Sequence, residues 1–164
     1  MGVEIERKFL VIHEALPELK DGQHIIQGYL AEKPSIRFRI INEKIIITIK
    51  KAGMNGSRFE LETFKDFSTE EERRTLQALS IFPVIEKVRY KLPYAGLVWE
   101  IDVYQGENNG LVTADVELPY FDYPILFPPW IDEKADITWD ERYFNTNLGL
   151  NPFNNWRDKK CQSV

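Results

Sequence analysis

The chain has a single cysteine among its 164 residues, Cys161, and it lies in a polar C-terminal stretch. An intramolecular disulfide and a cysteine metal cluster are therefore excluded, and a reducing compartment fits. Histidine is scarce as well. His13 and His24 share no zinc-ligand spacing, so neither is assigned a role. Long apolar runs are missing, which argues against a membrane-spanning helix, and the N-terminus enters a charged stretch where a signal peptide would be apolar. A cytoplasmic protein is expected. A basic excess is also missing: 21 Lys and Arg stand against 26 Asp and Glu, a formal net charge of -5. That balance opposes the dispersed basic surface that holds nucleic acid by counterion release, so any anion site must be local.

What the chain does have is 43% hydrophobic and 13% aromatic content, enough for one globular domain with a sizeable core. Alternating apolar and polar residues predict strands over 3–11, 23–32, 35–41, 44–51, 57–64, 84–92, 97–105 and 112–118. Turn signals such as Pro34-Ser35, Asn42-Glu43, Gly53 to Gly56 and Pro93 to Gly96 separate them. A helix is expected over 69–80, opened by Ser68 and Thr69 with acidic residues in the first turn and an apolar stripe of Leu76, Leu79 and Phe82. A second helix near Thr138 to Glu141 would carry Tyr143 and Leu148, although Asn145, Asn147 and Gly149 weaken it. The prolines at 119, 124, 128 and 129 make a long helix over 119–130 unfavourable. So many short strands suggest a barrel or a sandwich.

The charges follow the strand period. Glu4, Glu6 and Lys8 share one face of the first strand, with Ile5, Arg7 and Phe9 on the other. Arg37 and Arg39 alternate with Ile36, Phe38 and Ile40, and Lys44, Thr48 and Lys50 alternate with Ile45, Ile47 and Ile49. Arg58, Glu60 and Glu62 oppose Phe59 and Leu61, and Lys87 and Arg89 oppose Val88 and Tyr90. Glu100 and Asp102 oppose Trp99 and Ile101, and Asp115 and Glu117 oppose Val116 and Leu118. A sheet with one solvated face would show the same alternation, and period alone does not separate inside from outside. Two features favour a site: arginine is frequent, and cationic strands alternate with acidic ones. Guanidinium pairs bidentately with phosphate oxygens, while carboxylates one pleat apart suit a hard cation.

These residues, read in order, resemble a known family. Glu4-Ile5-Glu6-Arg7-Lys8 looks like the Glu-x-Glu-x-Lys signature of the CYTH superfamily, the triphosphate tunnel metalloenzymes. Gln27-Gly28-Tyr29-Leu30, Arg37-x-Arg39, Thr48-Ile49-Lys50, Arg58-x-Glu60-x-Glu62, Glu86-Lys87-x-Arg89, Glu100-x-Asp102, Asp115-x-Glu117 and Asp140 to Tyr143 follow in the family's order. The resemblance covers about residues 3 to 148 and is nearest to the short single-domain bacterial members. It implies a mainly β (α+β) domain over 1–150, an eight-stranded antiparallel closed barrel with a charged lumen and outer helices, followed by a polar tail over 151–164. Asp115 departs from the pattern, standing where members often have Glu.

The resemblance further implies metal-dependent hydrolysis of inorganic triphosphate, with nucleoside triphosphates as further substrates. The substrate-binding set would be Lys8, Arg37, Arg39, Lys50, Arg58, Lys87 and Arg89. The ligands of Mg2+ or Mn2+ would be Glu4, Glu6, Glu62, Asp102, Asp115 and Glu117. Lys8, its pKa lowered by neighbouring cations, and Tyr29 would form an assisting catalytic pair. The partner would be a small anionic triphosphate, with no nucleic acid and no membrane, and a homodimer is left open. Adenylate cyclase and thiamine triphosphatase activity in the same tunnel, and a non-catalytic polyphosphate sensor, are the alternatives. The carboxylates argue against the sensor, because beside phosphate they weaken binding unless they hold metal.

Overall fold

The structure is a computed structural model that describes residues 4–52 and 58–157. The turn expected at Gly53 to Gly56 and Cys161 lie outside the described residues. The strands are β1 (Ile5–Val11), β2 (Gln23–Glu32), β3 (Ser35–Ile41), β4 (Lys44–Ala52), β5 (Arg58–Lys65), β6 (Ile85–Tyr94), β7 (Leu97–Tyr104), β8 (Val112–Leu118) and β9 (Ile131–Asp136). The helices are α1 (Glu70–Ala78), α2 (Asn145–Leu150) and α3 (Phe153–Trp156). α1 starts as its sequence dictates, with Thr69 and Glu72 forming a reciprocal capping box. The second predicted helix is split into a 3-10 turn at Glu141–Tyr143 and the short α2.

All nine strands belong to one antiparallel sheet in the order β5-β4-β3-β2-β6-β7-β8-β1-β9. This corrects the closed eight-stranded barrel expected from the sequence. Closure would require β5 to pair with β1, but β1 already pairs with β8 on one side and with β9 on the other. The ladder therefore ends at β5 and β9. The sheet curls without closing, far enough that Lys50 Nζ on β4 lies 3.6 Å from Glu4 Oε2, just before β1. The strand that occupies the edge, β9, reads Ile-Asp-Glu-Lys-Ala-Asp and lacks the apolar alternation by which the others were recognised.

The convex face is the greasy one. Phe9, Trp99, Ile101, Ala114 and Val116 form a buried cluster, covered by Leu16, Leu19, Ile125, Phe127 and Trp130 from the connecting segments. Trp99 packs edge-on against Trp130 and tilted against Phe9, and such pairs contribute about 0.5–1.5 kcal/mol beyond area burial. Farther along the same face, Leu76 of α1 covers Phe38, Ile40 and Ile45.

One end of the concave face is apolar too. Leu10, Ile85 and Tyr104, on the same side of their strands as Lys8, Lys87 and Asp102, pack with Tyr143, Leu148, Phe153 and Trp156. The C-terminal helices thus plug that end. Asn108 ties them down, donating to Leu148 O at 3.2 Å and accepting from Phe153 N at 2.7 Å. Gly149 allows α2 to come this close, since a Cβ there would sit 2.6 Å from Pro83 O.

Candidate functional site

Ladder register assembles the charged rows on the concave face. Lys8 lies opposite Asp115, and Glu6 opposite Glu117, between β1 and β8. Glu100 faces Asp115 across β7 and β8, Arg89 faces Asp102 across β6 and β7, and Lys50 faces Glu60 across β4 and β5. The curl turns these rows toward a common cavity of about 220 Å3. Its walls include Glu4, Glu6, Lys8, Arg37, Arg39, Lys50, Glu62, Lys87, Arg89, Asp115 and Glu117. Among the described residues, Ile25 is the one apolar side chain in the lining and no aromatic ring lines it.

One part of this surface is already neutralised. Lys87 and Asp102 are 1% and 0% exposed, and Lys87 Nζ donates to Asp102 Oδ2 at 2.6 Å. Arg89 makes a fork onto the same carboxylate, Nε to Oδ1 at 2.7 Å and Nη2 to Oδ2 at 2.8 Å, and also pairs with Glu100. Burial alone would push the Asp102 carboxyl up, but Lys87 and Arg89 hold it well below the ordinary carboxylate range. Burial pulls the Lys87 ammonium down, with Asp102 opposing, while Arg89 is raised because Asp102 more than offsets its burial.

The other part carries unspent hydrogen-bonding capacity. Nε of Arg37 and Nε of Arg39 are buried without a hydrogen-bond partner. Arg39 reaches Glu62 through Nη2 at 3.1 Å, and Glu62 also accepts from Thr48 Oγ1 at 3.2 Å. Burial and then the adjacent Arg37 lower the Arg39 pKa, which marks two guanidiniums crowded together.

Across the cavity the crowding is of the opposite sign. Burial, then Asp115, raises the Glu6 carboxyl. Burial also raises Asp115, with Lys8 opposing and Asp102 adding to the rise. Asp115 Oδ1 is buried without a hydrogen-bond partner, and Lys8 Nζ stands 3.6 Å from it. Glu6, Asp115 and Glu117 are hard oxygen donors that fit an added cation. Among the described residues no three His, Cys, Asp or Glu side chains form a ready-made metal cage. Asp102 does not fit as a ligand, because both its oxygens are occupied by Lys87 and Arg89.

The structure thus brings together most of the residues singled out from the sequence. Asp102 lies beneath the cavity wall, and Tyr29 is set back behind Gln27, whose Nε2 donates to the phenol oxygen at 2.9 Å. The side chain of Arg58 lies outside the described residues, although its backbone opens β5. The lowered pKa expected for Lys8 is not what the structure gives. Burial does work against its charge, but Asp115, Tyr104, Asp102 and Glu6 together raise it above the ordinary lysine value. Tyr29 is also raised, chiefly by burial. Residues not assigned to the site from the sequence also line the cavity: Gln27, Glu60, Glu100 and Asn145. Strand parity carried the signal for Glu60 and Glu100, and Gln27 belongs to the Gln27-Gly28-Tyr29-Leu30 motif. Asn145 gave none, because it belongs to α2 and not to the sheet.

Comparison with known proteins gives a consistent picture. Residues 2–145 match the CYTH domain family. An inorganic triphosphatase of Acetivibrio thermocellus is 39% identical over 160 residues, covering 96% of this chain and 100% of that protein. An inorganic triphosphatase of Nitrosomonas europaea is 35% identical, covering 90% of this chain and 97% of its own length. The crystal structure of an inorganic triphosphatase superposes with a TM-score of 0.64 at 29% identity, over 92% of this chain and 96% of the other.

Proposed function

Because this chain belongs to the CYTH domain family, we propose that it is an inorganic triphosphatase, cleaving triphosphate to diphosphate and phosphate on the concave face with a divalent cation. The observation that carries this reading is the separation of unmet demands within one cavity. Arg37 and Arg39 crowd on one side with unpartnered donors, and Glu6 and Asp115 crowd on the other with raised carboxyls. A polyanion together with a cation satisfies both sides at once.

Arg37, Arg39, Lys8 and Lys50 hold the phosphate oxygens, while Lys87 and Arg89, ion-paired with Asp102, form the wall beneath them; Arg58, whose side chain lies outside the described residues, is proposed for the same clamp from the sequence alone. Glu6, Asp115 and Glu117, with Glu4 and Glu62 at the margins, would hold a Mg2+ or Mn2+ ion, which would supply Lewis acidity to the reaction. Lys8 keeps its proton, so its part in catalysis is to stabilise charge on phosphate oxygen as the P–O bond breaks. Tyr29 accepts from Gln27 and keeps its own O–H for donation. Mg2+ or Mn2+ as the ion, and the cytoplasm as the location, belong to the same proposal. Among the described residues no helix is long and apolar enough to cross a membrane.

A cyclase or a thiamine triphosphatase must also recognise an organic group, and a described cavity wall made almost wholly of charged and polar side chains supports the inorganic substrate. The test is a panel of triphosphate, ATP, thiamine triphosphate and longer polyphosphate with Mg2+ and with Mn2+, both products being identified. Triphosphate is expected to be the preferred substrate, giving equal diphosphate and phosphate. Cyclic AMP from ATP, or tight metal-independent binding without turnover, would replace this reading.

A further inference from the structure

Among the described residues lining the cavity, and apart from Glu4 at the entry to β1, all sit on strands except Asn145 at the start of α2. It stands where the charged face meets the apolar plug formed by Tyr104, Leu148 and Phe153. Its Oδ1 accepts from Tyr104 Oη at 2.8 Å. Tyr104 is 0% exposed, and its ring lies 5.5 Å from Lys87 Nζ. That bond fixes the amide plane, because an acceptor at Oδ1 commits the other end of the side chain, Nδ2, to the role of donor. Nδ2 has no acceptor among the described residues, although the residue faces a cavity of charged groups.

The geometry points to Asn145 as a substrate-binding residue: its Nδ2 donates to an oxygen of the phosphate group seated deepest, against the plug, and Tyr104 is the positioning residue that aims it. This rests on the triphosphatase reading and deepens it. The chemistry suits the place. At the deep end Lys87 is already neutralised by Asp102, so a neutral donor adds a directed contact without another buried cation. A phosphate oxygen accepting from an amide makes a charge-assisted hydrogen bond, stronger and more directional than its neutral counterpart.

A purely structural role is the rival, in which Asn145 serves only to accept from Tyr104. Asn145→Asp separates the two, because it keeps the acceptor and removes the donor. Tripolyphosphate binding by calorimetry and product-resolved steady-state kinetics are measured on the wild type, Asn145→Asp, Asn145→Ala and Tyr104→Phe. Loss of one hydrogen bond to a charged oxygen predicts binding about tenfold weaker in Asn145→Ala. Asn145→Asp should be weaker still, by about a hundredfold, since it sets a like charge beside phosphate. Tyr104→Phe should lose a few-fold, with KM moving more than kcat in all three. Binding and KM of Asn145→Asp within about twofold of the wild type would overturn the assignment. Should that variant not fold, equal binding by the wild type and Asn145→Ala overturns it instead. A wild type that binds tripolyphosphate without hydrolysing it would refute the hydrolase reading alone, and the ranking of affinities would still judge Asn145. A wild type that does not bind would refute both.

Discussion

Arg89 and Arg39 are the same residue type on the same concave face, one on β6 and one on β3, and they do opposite work. Arg89 is tied by a two-pronged fork to Asp102, which also holds Lys87. Arg39 has one hydrogen bond, to Glu62 at 3.1 Å, and an Nε without a hydrogen-bond partner, beside Arg37 with another. The first arrangement is an internal ion cluster whose charges cancel, and it makes a rigid wall. The second is a surface whose charges are held close by strand geometry without cancelling, and it is poised to take an anion. Charge of one sign identifies neither role; the number of partners does.

The largest expected effect comes from breaking the rigid side. Asp102→Ala leaves Lys87 buried without its carboxylate, and removing one member of a buried pair costs about 3–5 kcal/mol. Urea denaturation would show it as a lower midpoint at neutral pH. The sign with pH follows from the shift: the folded pKa of Asp102 lies below that of the unfolded chain. Its stabilisation is therefore complete above the unfolded value and disappears as pH falls through the folded one. Asp102→Asn should therefore have a lower urea midpoint than the wild type at neutral pH, and the gap should narrow as pH falls below the ordinary carboxylate range.

On the open side the prediction is reversed, with activity lost and stability kept. Arg39→Ala or Arg37→Ala should lower triphosphate turnover by about 10²–10³-fold, the loss typical of a donor to transition-state charge. The urea midpoint should stay near that of the wild type or rise, because one of two crowded cations is relieved. If Arg39→Ala destabilised the protein as Asp102→Ala does, the contrast between the two sides would be lost.

Much of that contrast was visible before the structure. Period-two alternation placed Glu6, Lys8, Arg37, Arg39 and Lys87 on one face, and Phe9, Phe38, Trp99 and Ile101 on the other, because a strand has no other way to place them. That the sheet stays open was not legible. It depended on whether β1 had a free edge, and the strand that occupies that edge has no apolar alternation. Alternation also gave Asp102 and Asp115 the same rank, whereas register surrounds Asp102 with hydrogen bonds from Lys87 and Arg89 and leaves Asp115 Oδ1 with no hydrogen bond, only ion pairing at 3.6 Å from Lys8. The pKa direction of Lys8 was misjudged because neighbouring cations were visible in the sequence and the closeness of Asp115 across the ladder was not. Asn145 reaches the cavity by a chain reversal that no strand period reports.

Two smaller effects sharpen the comparison. Glu6→Gln should weaken Mg2+ or Mn2+ affinity by about tenfold, as loss of one hard oxygen donor implies, and should leave metal-free tripolyphosphate binding unchanged or tighter. Titration of each ion against turnover measures it. Thr69→Ala removes the cap of α1, on the convex side, and should cost about 1 kcal/mol in denaturation with kcat and KM unaltered. A kinetic change there would mean that α1 communicates with the site.

The most direct test of the account is a crystal structure with tripolyphosphate bound under conditions that prevent turnover. The account predicts phosphate oxygens within hydrogen-bonding distance of Arg37 and Arg39, inside the curl and opposite Glu6 and Asp115. Phosphates seated instead in the groove between α1 and the convex face, at Arg73, Arg74 and His24, would contradict it.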